Sequence, residues 1–502
     1  MILDQPNLMR PNVELWFSDF NGEKMKYGYI KLVSAVALFV CYMIVLLTVQ
    51  NHVIFYQEQH TLFMWSGEYF RHTVHSVGLI DYLGAFVIQF YHIPWLGAAI
   101  VSLLAVAVYL LSESIIAKLT GKRDLLQIGI LLAIALYYTL DGIDDTPGWL
   151  VAVVLILTAV RCILCLIKGK KVSADRLTKF QTALPVVLAA VYFIVGLQIE
   201  MKGFDRRERA MVLAECAIKQ KNWDGAIEMT ERYLDAGSGN RLMLYLRNIA
   251  LAQKGELIDR MFDYPQRIGQ QSLAFSWNHD SRDAEYGHWV HEYTGDINAA
   301  HQWAFEAMTA MGETGPHLSD LARYNVALGR PKVAEKFAKQ LDKTLFYRDV
   351  AKSVRRQIAG EEKSDLKYVM PDSVEIKWIN VLDFRPNVMQ NVKADSANTI
   401  ARQYMIASLL VNGNLDVLIP MLTQEDMKHR IIQEAALIYS LDPHATPLEE
   451  YGLKLDESVT KDFSPYYSDL RSGFAAPGSD ERWRKSYWYY VHVIMPKTKN
   501  EK

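Results

Sequence analysis

The sequence predicts an all-α protein in two parts, a polytopic transmembrane helical module followed by a soluble α-solenoid domain. Three observations support this fold class. Apolar stretches of membrane length recur as far as Leu197, a polar chain of helical pattern begins at Asp205, and turn signals recur at a fixed spacing in that second part. Because apolar spans and polar helices need different solvents, the change from apolar to polar sequence near residue 200 marks the main boundary of the chain.

The composition limits the classes of partner. The 502 residues are 51% hydrophobic and 22% charged, with a formal net charge of -2. Because there is no basic excess, no nucleic acid is expected as a partner. Cys216 is alone in the second part, which excludes a disulfide framework there. Cys162 and Cys165 have the spacing of a redox or zinc motif, but they lie in an apolar run without a second pair, so we interpret them as membrane packing.

Five apolar stretches are candidates for membrane spans, because about 20 mainly apolar residues cross the hydrocarbon of a bilayer. They cover residues 30–49, 95–117, 125–140, 148–167 and 182–199, and together they form a membrane module over 30–200. The third stretch is short and needs its neighbours or a thinner bilayer in order to span. The first follows lysines but lacks a cleavage site, so it is predicted to be an uncleaved anchor. Residues 1–29 are then a cytoplasmic tail, disordered or in part an over-extended start.

The charges of the loops predict the orientation of the module. Basic residues precede the third and fifth spans, whereas the loop 141–145 between the third and fourth spans is acidic; the basic residues are Lys118, Lys122, Arg123, Lys168, Lys170, Lys171, Arg176 and Lys179. Positive loops stay in the cytoplasm. The N-terminus is therefore expected inside, and an odd number of spans puts the second part outside, which in a bacterium is the periplasm.

The segment 78–93 is apolar, but at about 15 residues it is short for a membrane span. Whether it spans decides if the number of spans is odd or even. Asp81, Gln89 and His92 fall within roughly 80° of one another on a helical wheel. This pattern is typical of a helix that lies in the membrane interface. We predict a juxtamembrane helix here, ended by Pro94 before the second span.

The second part carries a repeated pattern of helix, short turn and helix. Gly255 follows Lys221 by 34 residues, and Gly329 follows Gly295 by the same number. A period of 34 residues is that of tetratricopeptide repeats, and residues 201–360 resemble them. The turn that contains Lys221 covers 221–226, and a further turn of this kind lies beyond this region at 412–415. The resemblance implies stacked helical hairpins that bury their apolar faces against their neighbours.

Beyond the repeats the periodicity changes. Residues 361–394 contain two prolines among charged residues and are predicted to be an extended connector, and helical hairpins resume over 395–502. The aromatic and basic stretch 483–490 suits either a capping helix or a helix on the membrane surface. We favour the cap, because the terminal repeats of such domains need an atypical cover.

Histidines and carboxylates form two groups that could carry chemistry. The loop 50–77 holds His52, His60, His72 and His75 beside Glu58 and Glu68, and the second part holds His279, His288 and His291. The first group lacks the paired ligand spacing of a metal site, so we expect an interfacial face there. The second could line a groove for a peptide, but repeat helices normally use such residues in their core, so we expect core or rim packing. No nucleotide, nucleophile or zinc-protease motif is present, and no cofactor is expected.

The order of spans and outer loops is also similar to that of polytopic glycosyltransferases that use lipid-phosphate sugar donors. The similarity covers residues 30–170 and includes the stretch from Tyr56-Gln57-Glu58-Gln59-His60 to Trp95-Leu96-Gly97. It implies that Glu58 is a catalytic or metal-facing acid and that Asp141, Asp144 and Asp145 are acids of a second outer loop. A divalent cation is expected only under this alternative. Those enzymes usually have more spans and an Asp at the first position.

The whole chain resembles an uncharacterised family of bacterial multi-pass membrane proteins. We expect a membrane-anchored interaction or assembly protein of the inner membrane, whose periplasmic repeat domain binds an envelope protein or peptide while the spans bind the lipid bilayer. The alternative is a diverged membrane glycosyltransferase. Transport is less favoured, because Glu113 and Arg161 lie near the cytoplasmic ends of their spans.

Overall fold

A computed structural model describes residues 22–137, 139–140, 142–167, 179–203, 205–237, 239–276, 281–366, 384–476 and 478–500. Every regular element in these ranges is a helix, which confirms the predicted all-α class. The chain divides into two compact units, Met1–Asp205 and Arg206–Lys502.

The first unit consists of eight α-helices in its described part. They are α1 (Gly22–Ile44), α2 (Asn51–His60), α3 (Gly67–Ser76), α4 (Leu79–Ile88), α5 (Pro94–Thr120), α6 (Ile128–Tyr137), α7 (Gly148–Leu166) and α8 (Lys179–Gly203). A π-helix, Val45–Val49, continues α1, and a 3₁₀-helix, Gln89–His92, continues α4. Three helices are long and apolar enough to cross a membrane, namely Gly28–Val49, Pro94–Thr120 and Gly148–Leu166. The third and fifth predicted spans correspond to shorter apolar helices, Ile128–Tyr137 and Ala183–Ile199.

Helix α5 is the centre of the first unit. It contacts α1, α6 and α7, and the side chains that it buries follow helical spacing, as in Ala98, Val101 and Ala105. The Tyr42 hydroxyl donates a hydrogen bond of 2.6 Å to the Ala133 carbonyl, which fastens α1 to α6. Helix α4 contacts α7, where a Cβ on Gly148 would lie 1.9 Å from the Ile80 carbonyl oxygen. Only glycine permits this approach of two backbones.

The second unit begins with paired helices. They are α9 (Arg206–Lys219), α10 (Trp223–Asp235), α11 (Arg241–Lys254), α12 (Leu257–Arg260), α13 (Ser281–Thr294), α14 (Ile297–Met311), α15 (Gly315–Ala327), α16 (Pro331–Leu341) and α17 (Arg348–Ile358). Each predicted turn lies between two helices. Asn222 and Asp296 cap α10 and α14 by accepting hydrogen bonds from Gly225 and Ala299, and Gly255 ends α11 with a φ of 77°.

The remaining α-helices are α18 (Phe384–Ala394), α19 (Thr399–Asn412), α20 (Leu415–Leu418), α21 (Arg430–Ser440), α22 (Glu457–Arg471), α23 (Ser479–Trp483), α24 (Tyr487–Tyr489) and α25 (Met495–Asn500). The predicted extended connector is wrong over 384–394, because these residues form α18. Pro386 occupies the first turn of that helix, where a missing amide hydrogen leaves no intrahelical bond unmade. Residues 367–383 of the connector lie outside the described residues.

Helix α19 gives the second unit a long-range closure that a simple solenoid lacks. It contacts α11, α12 and α13, although repeats in a solenoid contact only their sequence neighbours. The Gln403 amide donates to the Ala252 carbonyl and accepts from the Leu257 amide, at 3.1 and 3.3 Å. Gln270 Oε1 accepts from Ser408 and Asn412 at 2.7 and 2.8 Å. One hydrophobic core consequently runs from Ala214 to Ile494.

The C-terminal aromatic residues belong to this core. Trp483, Tyr487, Trp488 and Tyr490 are all buried. The Tyr487 hydroxyl donates to the Leu410 carbonyl at 3.1 Å, and the Trp488 indole donates to the Glu434 carbonyl at 3.0 Å. Side chains held in this way face the interior of the unit, so they are not a membrane-surface anchor.

A close contact between α13 and α14 allows a test of the second unit. A Cβ on Gly287 would lie 2.3 Å from the ring of Trp303, which is buried. Gly287→Ala gains about 1 kcal/mol of helix propensity, but overpacking of a rigid core costs about 1–3 kcal/mol. We expect a lower urea midpoint for the full chain, measured by circular dichroism.

Gly239→Ala is the matched control, since nothing lies within 4 Å of its added Cβ. The variant Gly287→Ala/Trp303→Leu should recover part of the loss, because the smaller side chain leaves room for the methyl group. A midpoint unchanged by Gly287→Ala would contradict the described contact.

Candidate functional site

Glu58, the acid predicted in the first outer loop, is buried and paired with His92. It lies on α2, which contacts the 3₁₀-helix Gln89–His92. Its Oε1 is 2.8 Å from Nδ1 of His92, and its Oε2 accepts a short hydrogen bond from the Gln59 amide. The carboxylate is buried while the imidazole is partly exposed. A carboxylate that orients an imidazole in this manner is an arrangement found in general acid–base catalysis.

Gln57, the residue before Glu58 on α2, connects the acidic loop 142–145 to this helix by hydrogen bonds. Gln57 Nε2 donates to the Asp145 carbonyl at 2.6 Å, with longer contacts to the Gly142 and Ile143 carbonyls at 3.4 and 3.3 Å. The Asp145 carboxylate accepts from the Gly142 amide at 2.8 Å, so it stabilises its own loop. The structure thus brings this loop and α2 to one end of the first unit through the backbone of the loop.

The other predicted acids are placed differently. Asp144 is exposed on the loop, and Asp141 lies outside the described residues. In the part of the chain that the structure describes, no group of three or more His, Cys, Asp and Glu side chains is arranged to hold a metal ion. Glu58 and His92 therefore form a pair, and no described carboxylate joins them as a third ligand.

The histidines of the loop 50–77 have separate environments. His52 is buried, whereas His72 and His75 are exposed on α3. His60 stacks on Tyr56, with ring centroids 3.9 Å apart, and its Nδ1 is 2.8 Å from the Tyr56 carbonyl. Sequence reasoning had missed His92 as the partner of Glu58. The one available signal was its position on the polar face of the segment 78–93.

A second constellation, which we call the buried polar cluster, joins α9, α13 and α15. It consists of Glu215, Lys219, Tyr286, Glu285, His288, His317, Asp320 and Arg323. Lys219 pairs with Glu215 at 2.7 Å within α9, and the Tyr286 hydroxyl of α13 donates to Glu215 at 3.1 Å. Charged groups inside a core persist only when they are paired in this way.

Two imidazole–carboxylate contacts connect α13 and α15 in this cluster. His317 Nε2 is 2.9 Å from Glu285, and His288 Nε2 is 3.5 Å from Asp320, which also pairs with Arg323 at 3.0 Å. Sequence reasoning missed the cluster. Its signal was two polar stripes at helical spacing, one with Glu285 and His288 on α13 and one with His317 and Asp320 on α15.

The environment of His317 favours the imidazolium ion. Burial alone lowers the pKa of this imidazole, but the hydrogen bond and the charge of Glu285 outweigh it and raise the pKa above its ordinary value. The Gly312 carbonyl lies 3.1 Å from Nδ1, so both ring nitrogens face acceptors, and only the doubly protonated ring donates to both. Burial instead lowers the pKa of His291 on α13.

His288 and His291 are both buried, in agreement with the expected core packing, while His279 lies outside the described residues.

In its described part, this all-helical protein has two unlike units. One contains helices of membrane length, and the other contains charged pairs in its interior. Compared with curated proteins and with solved structures, the chain gives no match. Both the tetratricopeptide and the glycosyltransferase resemblance therefore stay predictions.

The chain belongs to DUF6057, a family of unknown function whose family model matches residues 27–199 and 136–494. The two matches together extend over both units. The expectation of an uncharacterised family is thereby confirmed.

The raised pKa of His317 predicts a pH dependence. Its contribution to stability is complete below the unfolded pKa of about 6.5 and is lost as the pH rises through the higher folded pKa. As the pH rises above about 6.5, the thermal midpoint of the full chain should therefore fall by more than that of His317→Gln. His291, whose pKa is lowered, titrates below this window and does not mask the effect.

His444→Gln is the control, because this histidine is exposed. It should retain the pH dependence of the natural protein. An identical dependence in His317→Gln would mean that His317 is neutral in the folded protein.

Proposed function

We propose that this protein is a membrane-anchored interaction or assembly protein of the bacterial inner membrane, whose periplasmic helical-repeat domain binds an envelope protein or peptide. The observation that carries the proposal is the pairing of membrane-length apolar helices in one unit with a large, separately cored helical unit in the other. Stacked helical hairpins present extended surfaces for binding, which fits this role.

The directions of the helices support the proposed orientation. Lys31 of α1 forms a short ion pair with Glu113 of α5, and Ser34, one turn later on α1, is hydrogen-bonded to Tyr109, one turn earlier on α5, so these two helices are antiparallel. Arg161, late in α7, donates to Ser114 at the same end, at 2.6 Å. Lys118, Lys122 and Arg123 follow directly in the chain, and this end carries the positive charge expected of a cytoplasmic side.

The opposite end of the first unit carries the features expected outside. The start of α5 lies beside the pair of Glu58 and His92, and the loop 142–145 is joined to α2 there. With 27 residues, α5 is about 40 Å long at 1.5 Å per residue. That length spans the hydrocarbon of a bilayer and extends beyond it, so both polar ends reach water.

Binding, rather than catalysis, in the second unit is supported by how its charged groups are used. The charged groups of the buried polar cluster pair with one another, both within helices and between α13 and α15. Large apolar side chains stay exposed elsewhere on the unit, among them Phe305, Val417, Leu441 and Tyr467. Such side chains are candidates for contact with a partner.

The proposal predicts both the compartment and the contact. A photo-crosslinking residue in place of Phe305, Val417, Leu441 or Tyr467 should, in living cells, attach one discrete envelope protein at a subset of these positions. Lys352, which is exposed and paired only with Asp349 at 2.8 Å, is the control position. Crosslinking that is absent or equal at every position would contradict the proposal.

A topology reporter tests the compartment separately. Fused after Lys502, alkaline phosphatase should be active, since this enzyme needs the oxidising periplasm for its disulfides. A cytoplasmic reporter that is active at the same position would overturn the proposed five-span layout.

The alternative, a membrane glycosyltransferase that uses a lipid-phosphate sugar donor, is favoured by one observation. Gln57 joins the loop 142–145 to the helix that carries Glu58, so the first and second outer loops meet at one end of the first unit. Under this alternative Glu58 and His92 act as an acid–base pair on an acceptor hydroxyl, with Asp144 on the neighbouring loop.

Glu58→Gln decides between the two functions. The amide keeps an oxygen for His92 but cannot carry the negative charge, so an enzyme would lose turnover of its lipid-linked donor by about 10²-fold or more. Asp144→Asn should reduce turnover as well. Glu68→Gln, an exposed acid of the same loop, is the control. If Glu58→Gln retains full turnover and partner binding, the glycosyltransferase alternative is excluded.

A further inference from the structure

An apolar pocket of about 220 Å³ opens on the side of the first unit, between α1, α6 and α8. Its walls include Cys41 and Tyr42 of α1, Ile134 and Tyr137 of α6, and Gly196 of α8. Each of these residues lies in the C-terminal half of its helix. In the proposed five-span layout the three helices are the first, third and fifth spans, which all run outward. Under the proposed orientation the pocket faces the outer half of the bilayer.

We propose that this pocket binds one acyl chain of a bilayer phospholipid. The inference rests on the proposed membrane embedding of the first unit. Ile44 and Leu197 border the pocket and are about half exposed, at 56% and 47%. Exposed apolar side chains continue along α8 at Val191, Ile194 and Val195, so the pocket is continuous with a surface that faces hydrocarbon.

The size and the polarity of the pocket favour a hydrocarbon chain. An apolar cavity of about 150 Å³ accommodates benzene, so a pocket of about 220 Å³ has room for a longer aliphatic segment. The Tyr42 hydroxyl in its wall already donates to the Ala133 carbonyl. A phosphate or sugar group would lose its hydration without a charged partner in these walls, whereas methylene groups lose nothing.

Two local features shape the pocket. The π-helix Val45–Val49 begins in its wall, and such a widened turn displaces side chains from the regular α-helical positions. Gly196 permits a close approach of α8 to α6 at the opposite wall, since a Cβ there would lie only 3.2 Å from Cγ2 of Ile134 and a longer side chain would have to turn into the pocket. A large side chain at 196 would therefore occupy the volume that we assign to the acyl chain.

The experiment uses the full chain in phosphatidylethanolamine vesicles that contain a phospholipid with a photoactivatable diazirine near the end of one acyl chain. After irradiation, peptide mapping should show stronger labelling of residues 41–45 and 134–137 than of Leu155, Ile156 and Ile163. These three residues of α7 are exposed and report general contact with lipid. Equal labelling of the pocket and of α7 would overturn the pocket assignment.

Filling the pocket is the second arm of the test. Gly196→Phe should reduce the labelling of the pocket residues to the level of α7, while Ile194→Phe, on the exposed side of the same helix, should leave it unchanged. Val45→Phe fills the pocket from the opposite wall and serves if Gly196→Phe does not fold. Pocket labelling that survives in whichever of these two variants folds would overturn the proposal.

Two further outcomes separate this inference from the function on which it rests. Absence of labelling on α7 as well would overturn the membrane embedding itself, whereas α7 labelled as strongly as the pocket overturns only the pocket. Unlabelled polyprenyl phosphate that suppresses pocket labelling, where the same excess of phospholipid does not, would show an isoprenoid occupant and overturn the acyl chain. Suppression by phospholipid supports it.

Discussion

Helix α13 is buried along nearly its whole described length, and the arrangement of the second unit depends on that burial. The helix carries Asp283, Glu285 and His288 into the core, where an unpaired charge costs several kcal/mol, on the order of the stability of the whole domain. Each therefore needs a partner from another helix. Arg241 of α11 pairs with Asp283 at 2.5 Å, and α15 supplies His317 and Asp320. These pairs fix which helices surround α13.

Local chemistry explains which parts of this fold could be predicted. A helix ends where glycine adopts a left-handed conformation and begins where Asn or Asp caps it, and both signals lie within a few residues, as at Asn222, Gly255 and Asp296. The closure by α19 has no such signal. It depends on hydrogen bonds of Gln403 with backbone groups of Ala252 and Leu257, which lie 151 and 146 residues earlier, and a polar helix residue gives no indication of so distant a partner.

The same distinction applies to the candidate site. The sequence draws attention to Glu58 through the order of spans and loops, which is a property of topology. Its partner His92 is 34 residues away, and Gln57, which holds the acidic loop, belongs to a residue type with no special role in the predicted chemistry. The connector shows the opposite error, since its prolines predict an extended chain, although a first-turn proline such as Pro386 is compatible with a helix.

In the described part of the first unit, the ion pairs between helices lie towards its two ends, and this distribution bears on function. Lys31 and Glu113 lie at one end and Glu58 and His92 at the other, while the described middle of α5 buries Val101, Ala105 and Val108. A path for ions needs polar groups along the middle of the bundle, where their burial is expensive. Under the proposed membrane embedding, charges near the ends instead suit an anchor, and chemistry on a lipid-borne substrate would have to occur at the end with Glu58, where His92 is partly exposed.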